Sequence, residues 1–120
     1  MLRAMSTAQS PITTHILDTA HGHPAGGVAV VLEHQGQEGW IVVGGGTTDS
    51  DGRLRTLLEP GKLSPGTYRL IFETGAYFAT KNIAGFYPQA VVVFSVRDAT
   101  QHYHVPLLLS PFGYSTYRGS

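Results

Sequence analysis

The side chains best suited to chemistry in this 120-residue sequence are histidines and arginines. One segment holds His102 and His104, another holds Arg53 and Arg55, and His15 stands alone near the N-terminus. Histidine exchanges a proton near neutral pH, and arginine binds anions and stabilises developing negative charge. Together these residue types favour proton transfer on a polar small molecule.

Side-chain alternation predicts the direction in which His104 points. In an extended strand over 101–110, successive side chains face opposite sides. The core-facing set is then Tyr103, Val105, Leu107 and Leu109. His104 falls on the other face, together with Pro106 and Leu108. Because that face is partly apolar, we expect another subunit to cover it, and a covered histidine is a candidate for function.

Other roles stay open for these residues on pattern alone. A lone histidine such as His104 is more often a solvated surface residue. His15 could equally be a core histidine whose ring binds a backbone carbonyl. Arg53 and Arg55 would point the same way if their segment is extended, and a pair of solvated arginines is the commoner outcome.

Metal binding and other common chemistries find little support. Residues 21–23 and 102–104 both read His-x-His, a spacing that can place two imidazoles on one metal. No acidic residue or third histidine follows at a spacing typical of a metal site. Residues 47–52 resemble the start of an EF-hand loop, yet with Gly52 at its sixth position the twelfth is Leu58 and not glutamate. Cysteine, a Gly-x-Ser-x-Gly motif and a phosphate-binding loop are all absent from the sequence. We therefore expect neither a metal nor an organic cofactor.

Composition narrows the possible partners. The formal net charge is zero, so no basic surface is expected for nucleic acid. Charged residues make up 13% of the chain, about half the usual share, which predicts surface buried between copies. No stretch approaches the roughly 20 apolar residues of a membrane span. Residues 1–10 contain no apolar signal-peptide core, so a cytoplasmic location is expected.

The elements that must position these residues are short strands. Fifteen glycines and seven prolines separate segments rich in β-branched and aromatic residues, a pattern typical of an all-β sandwich or barrel. Strands are predicted over 12–17, 27–34, 40–44, 66–74, 89–96, 103–109 and 114–117. A helix is predicted over 74–84, with Thr74 as a possible cap, and Gly45-Gly46 could form a bulge. We expect a flexible segment over 1–10 and one domain over 11–120.

Three segments carry a resemblance to a known family. Residues 12–19 read Ile-Thr-Thr-His-Ile-Leu-Asp-Thr, and residues 48–53 read Thr-Asp-Ser-Asp-Gly-Arg. The third segment, residues 102–111, reads His-Tyr-His-Val-Pro-Leu-Leu-Leu-Ser-Pro and runs on to Tyr-Arg-Gly-Ser at residues 117–120. With these motifs in this order, the chain resembles the 5-hydroxyisourate hydrolases, also called transthyretin-like proteins.

The resemblance implies a fold, an assembly and a site. The fold is a transthyretin-like two-sheet sandwich with one short helix, and four chains assemble with active sites in a channel where dimers meet. The catalytic residues would be His15, Arg53, His104 and Ser120. The residues that bind substrate or shape the terminal turn would be His15, Arg53, Tyr117, Arg118 and Gly119. The implied reaction is hydrolysis of the N1–C6 amide of 5-hydroxyisourate, a step of urate degradation, without metal or cofactor.

Two alternatives of other classes remain to be weighed. One is a transthyretin-like carrier that binds a small aromatic ligand in the same channel without turnover. The other is a purely structural sandwich. The histidines and the Tyr-Arg-Gly-Ser end argue against both, because neither role requires proton-transfer groups on a covered face.

Overall fold

The alternating segments form nine strands and one helix in the computed structural model, which describes residues 9–120. In chain order the elements are β1 Ile12–Asp18, β2 His23–Pro24, β3 Ala29–Gly36, β4 Gly39–Thr47, β5 Arg53–Leu54, β6 Gly66–Phe72, α1 Thr74–Ala79, β7 Ala90–Val96, β8 Tyr103–Ser110 and β9 Gly113–Thr116. They build two sheets packed as a sandwich, which confirms the predicted all-β class with one short helix.

The two sheets differ in how their strands are paired. One sheet has the order β4-β3-β6-β7 and is antiparallel throughout. In the other, the order is β2-β1-β8-β9, and β5 also pairs with β1. Strands β1 and β8 run parallel, so residues from the two ends of the chain lie side by side. That pairing brings the first and third motif segments together.

The core follows the predicted side-chain alternation. Along β8, Tyr103, Val105, Leu107 and Leu109 are all buried, whereas His104 is half-buried on the opposite face. The β6 residues Tyr68, Leu70 and Phe72 are also buried, as their alternation predicts. Burying a side chain of this size contributes about 1.5–3 kcal/mol, so the inward set fixes the strand's orientation and thereby turns His104 outward.

The helix is shorter than predicted, and its cap is a different residue. It ends at Ala79 instead of residue 84, because Asn82 adopts a left-handed conformation with φ 59° and the Ile83 N–H returns to the Phe78 carbonyl. Glu73 occupies the cap position without a side-chain hydrogen bond, and Thr74 lies inside the helix. The Thr74 cap is therefore wrong. Within residues 9–120 no helix is long and apolar enough to cross a membrane.

Two short strands and a bulge also depart from the sequence-based expectation. Strands β2 and β5 have two residues each and carry too little pattern to be recognised. The register between β3 and β4 shifts between Leu32 and Glu33, where the pairing skips Val43 of β4, while Gly45 and Gly46, the predicted bulge, are regularly paired. A Cβ on Gly44 would lie 1.6 Å from the Leu57 carbonyl oxygen, so glycine admits the neighbouring backbone here.

The ordered domain begins slightly before residue 11. Ser10 is buried, and its hydroxyl accepts a hydrogen bond from the Leu58 N–H at 3.0 Å. Residue 10 is thus part of the sandwich. The flexible segment predicted for the N-terminus otherwise falls on residues 1–8, which lie outside the described residues.

A buried carboxylate joins the helix to β1. Asp18 is fully buried, and it accepts hydrogen bonds from the Tyr77 hydroxyl at 2.7 Å and the His21 N–H at 3.0 Å. The His21 ring nitrogen Nδ1 lies 2.7 Å from the same carboxylate. Burial alone would raise the pKa of Asp18, but the hydrogen bonds from Tyr77 and His21 outweigh it and lower the pKa.

Replacing Tyr77 with phenylalanine is expected to lower the free energy of unfolding by about 1–3 kcal/mol, because the buried carboxylate loses a hydrogen-bond donor. Folding lowers the pKa of Asp18 from its ordinary value of 3.8. The ionised carboxylate therefore stabilises the fold fully at a pH above 3.8, and this stabilisation is lost as the pH falls through the lowered pKa of the folded state. Urea unfolding at neutral and acidic pH measures both effects. The control is Tyr87→Phe at an exposed tyrosine, and equal losses in the two variants would contradict the prediction.

Candidate active site

The polar residues of the first and third motifs meet on the outer face of the five-stranded sheet. In the register, Thr13 lies opposite His104, and His15 lies opposite Pro106 on one side and Arg53 on the other. The alternate residues of β1, including Thr14 and Ile16, are buried. Strand parity therefore places the hydroxyl, both imidazoles and the guanidinium on one face.

A tight turn sets the position of Arg53. The Asp49 carboxylate oxygen Oδ1 accepts hydrogen bonds from the N–H groups of Asp51 and Arg53, at 2.9 and 3.0 Å. Gly52 has a φ of 75°, and a Cβ there would lie 2.5 Å from the Ile16 carbonyl oxygen. Only glycine fits both constraints. The aspartate-rich loop thus docks β5 on β1, where the Ile16 N–H donates to the Gly52 carbonyl oxygen at 2.8 Å.

The pocket on this face has a volume of about 200 Å³. That volume suits a compact heterocycle rather than a large ligand. Its walls include Thr13, Arg53, Arg55, His102, His104 and Ser120. Both arginines thus point to the same side, as an extended segment predicts, and they supply the pocket's positive charge. A polar, readily ionised small molecule matches this lining.

Thr13 is a site residue that the sequence interpretation missed. Its hydroxyl oxygen lies 2.8 Å from His104 Nδ1 and 3.1 Å from His102 Nε2. Thr13 is two residues from His15 on β1, so parity could have placed it on the same face. The pairing with His104, however, depends on the register between β1 and β8, which no local pattern reveals.

The surroundings of His104 favour a neutral ring. Burial lowers its pKa below the ordinary 6.5, and the positive charge of Arg53 lowers it further, followed by His102 and His15. A neutral imidazole can accept a proton, whereas a protonated one cannot. His104 is therefore prepared to act as a base at neutral pH.

The last residues fold back onto His104. The Gly119 N–H donates to the His104 carbonyl oxygen at 2.8 Å, and the two residues form an isolated β-bridge. The Arg118 guanidinium lies 4.5 Å from the centre of the Tyr103 ring and donates to Gln101 Oε1 at 2.9 Å. These contacts hold Ser120 at the pocket wall.

Four predicted site residues do not line this pocket in the single chain: His15, Tyr117, Arg118 and Gly119. Tyr117 is 57% exposed and, like Arg118, lines a separate groove with Val93 of β7 and Val105 of β8. His15 is half-buried beside Arg53. The roles of these four residues in substrate binding and catalysis stay predictions.

One group of potential metal ligands lies elsewhere on the protein. The donor atoms of Asp18, His21 and His23 all lie within 4.8 Å of one another. The Asp18 carboxylate, however, is already bound by Tyr77 and by the backbone and ring of His21. His23 Nδ1 is paired with the Pro24 carbonyl oxygen. This group therefore stabilises a turn, and we assign no ion to it.

A sandwich of two sheets with one short helix is the fold that this chain shares with solved structures of transthyretin and of a 5-hydroxyisourate hydrolase. The model of the HIUase/Transthyretin family matches residues 12–119, and the chain belongs to that family.

Individual relatives include 5-hydroxyisourate hydrolases and a transthyretin. The chain is 47% identical over 117 residues to the 5-hydroxyisourate hydrolase of Salmonella dublin, covering 98% of this chain and 86% of the relative. The solved structure of Klebsiella pneumoniae 5-hydroxyisourate hydrolase has a TM-score of 0.78 and 37% identity, covering 91% of this chain and 98% of that one. Transthyretin from Sparus aurata has a TM-score of 0.86 and 35% identity, covering 91% and 96%. The same sandwich therefore occurs in hydrolases and in transthyretin.

Proposed function

We propose that this protein hydrolyses 5-hydroxyisourate to 2-oxo-4-hydroxy-4-carboxy-5-ureidoimidazoline in purine degradation. The observation that carries the proposal is a single pocket that holds His104, Arg53 and Ser120. A carrier needs no base beside a guanidinium, whereas amide hydrolysis needs a base and a partner for the oxyanion, and these two groups can supply them. The enzymatic relatives from Salmonella and Klebsiella support the same activity.

In the proposed reaction the imidazoles transfer protons and the guanidinium stabilises negative charge. His104, kept neutral by its surroundings, takes a proton from water as the water oxygen attacks C6, and His15 assists from the neighbouring strand. Arg53 stabilises the negative charge that develops on the carbonyl oxygen, a contribution typically worth about 2.7–4 kcal/mol for one preorganised donor. The N1–C6 bond then breaks, and N1 receives the proton held by the imidazole. Ser120 closes the pocket beside them.

The active form is a homotetramer built as a dimer of dimers. Apolar side chains remain exposed outside the pocket: Ile41, Val42, Val91, Val93, Phe112 and Tyr114. Strands β7 and β9 are edges of their sheets, so their backbone groups are free to pair with another copy. A second pair of chains would cover the outer face and exclude bulk solvent from the pocket. A cytoplasmic location stays a prediction.

The deciding experiment generates 5-hydroxyisourate in situ and follows its ultraviolet absorbance. We expect the purified protein to accelerate the decay well beyond the spontaneous rate and in proportion to enzyme concentration, because the pocket supplies both a base and an oxyanion partner. Decay at the spontaneous rate would contradict the proposal. Tight, saturable binding of an aromatic ligand without turnover would instead establish the carrier alternative.

A further inference from the structure

A single hydroxyl group connects the two histidines of β8. Thr13 Oγ1 lies 2.8 Å from Nδ1 of His104 and 3.1 Å from Nε2 of His102. Thr13 is only 7% exposed, so bulk water cannot readily replace it. His104 is half-buried, while His102 is exposed in the single chain. The hydroxyl therefore joins an inner imidazole to an outer one.

The hydroxyl can donate only one proton, and this limits the tautomers of both rings. If Thr13 donates to His104 Nδ1, then His104 carries its proton on Nε2 and has no free basic nitrogen for the substrate. If Thr13 donates to His102 Nε2, then His104 carries its proton on Nδ1 and keeps Nε2 free. Only the second arrangement leaves His104 able to take a proton from water.

We propose that Thr13 is a positioning residue that holds His104 in the Nδ1–H tautomer, with its own hydroxyl proton donated to His102 Nε2. The proposal rests on the proposed hydrolase function, in which His104 is the base. It assigns roles to Thr13 and His102 that the general acid–base scheme leaves open. His102 in this role acts through Thr13 and does not touch the substrate.

The proton balance with this tautomer is simple. After His104 Nε2 has accepted a proton from water, the ring is a cation with protons on both nitrogens. Nε2 then gives that proton to N1 as the N1–C6 bond breaks, while Nδ1–H stays hydrogen-bonded to Thr13 Oγ1. His104 thereby returns to the neutral Nδ1–H form, and neither Thr13 nor His102 changes its protonation state.

The charges around His104 favour return of the proton from Nε2 to N1. The ionisable groups that influence His104 are Arg53 from β5, His15 from β1 and His102 from its own strand, and Arg55 lines the same pocket. The arginines disfavour a cation at His104, so the protonated ring gives up its proton readily.

The first test measures the tautomers directly and needs no substrate. In ¹⁵N–¹H spectra that correlate ring nitrogens with ring protons, we expect wild-type His104 to be the Nδ1–H form. Thr13→Val keeps the side-chain shape but removes the hydroxyl, so His104 should become a mixture of tautomers or the Nε2–H form. An Nε2–H form in the wild type, or an unchanged spectrum in the variant, would overturn the proposal whether or not the protein is a hydrolase.

The second test uses turnover of 5-hydroxyisourate. Thr13→Val should lower kcat by roughly 10- to 100-fold, as losing an orienting partner of a functional histidine does at metal sites, with KM changed by less than about threefold. Thr13→Ser should restore most of the activity, because it restores the hydroxyl. The matched control is Thr14→Val, which removes a hydroxyl bound to the Val105 carbonyl oxygen instead of an imidazole. A full kcat in Thr13→Val, or equal losses in both valine variants, would overturn the assigned role.

Discussion

Replacing His104 with alanine is expected to lower kcat/KM for 5-hydroxyisourate by at least about 100-fold, the usual contribution of a positioned general base. The neighbouring groups cannot easily compensate, because Arg53 is not a base and His102 lies on the far side of the Thr13 hydroxyl. The fold should survive, since His104 points away from the core formed by its neighbours on β8. Steady-state rates and thermal unfolding of the purified variant measure the two effects separately.

The pH profile supplies an independent check on His104. Burial and the charge of Arg53 lower its pKa from 6.5, so wild-type activity should persist somewhat below pH 6.5 and fall as the pH drops through the lowered value. The free energy of unfolding is expected to change with pH in the same direction as the activity. Below pH 6.5 the unfolded chain binds a proton that the folded chain resists, so stability also decreases as the pH falls. This loss begins at the unfolded pKa and is complete below the folded one.

A control histidine separates loss of a base from loss of any imidazole. His23 is exposed, and within residues 9–120 its ring contacts only groups far from the pocket: it bonds to the Pro24 carbonyl oxygen and stacks on the His21 ring. His23→Ala should therefore retain the wild-type rate. If His104→Ala keeps its rate within about threefold of wild type, His104 is not the base.

Much of the fold could be predicted because local patterns determine it. The alternation along β8 gave the correct core face, and that face alone turns His104 outward. Glycine and proline positions located most strand ends within a few residues. The helix end was missed because Asn82 replaces the glycine that more often adopts a left-handed conformation at such a position. The strands β2 and β5 were missed because two residues show no alternation.

The site was only partly predictable, because its geometry depends on pairing between distant segments. His15, Arg53 and His104 were identified from residue type and resemblance, and the register brings them to one face. Thr13 was missed because its importance lies in its distance to two rings from β8, near the other end of the chain. From sequence alone, a threonine that acts through such long-range contacts cannot be distinguished from an ordinary threonine in a strand.

Removal of residues 117–120 is expected to abolish the acceleration of 5-hydroxyisourate decay. Ser120 is part of the pocket wall, and Gly119 binds the backbone of His104. The sandwich should remain folded, because β8 and β9 pair through residues that precede the deletion. Activity assays, circular dichroism and the oligomeric state in solution test these expectations together. Full activity in a folded truncated protein would remove the tail from the active site.

A single methyl group tests the same contact without shortening the chain. A Cβ on Gly119 would lie 2.6 Å from His104 Cδ2 and 3.3 Å from Pro106 Cγ, closer than unbonded carbon atoms approach one another. The ring is held by Thr13, so in Gly119→Ala either the tail lifts or that hydrogen bond breaks, and activity should fall by at least about tenfold. Gly113→Ala is the matched control, because its new methyl would meet only Ser110 Oγ at 3.8 Å. If Gly119→Ala is as active as Gly113→Ala while the truncated protein is inactive, the tail acts through Ser120 and not by fixing His104.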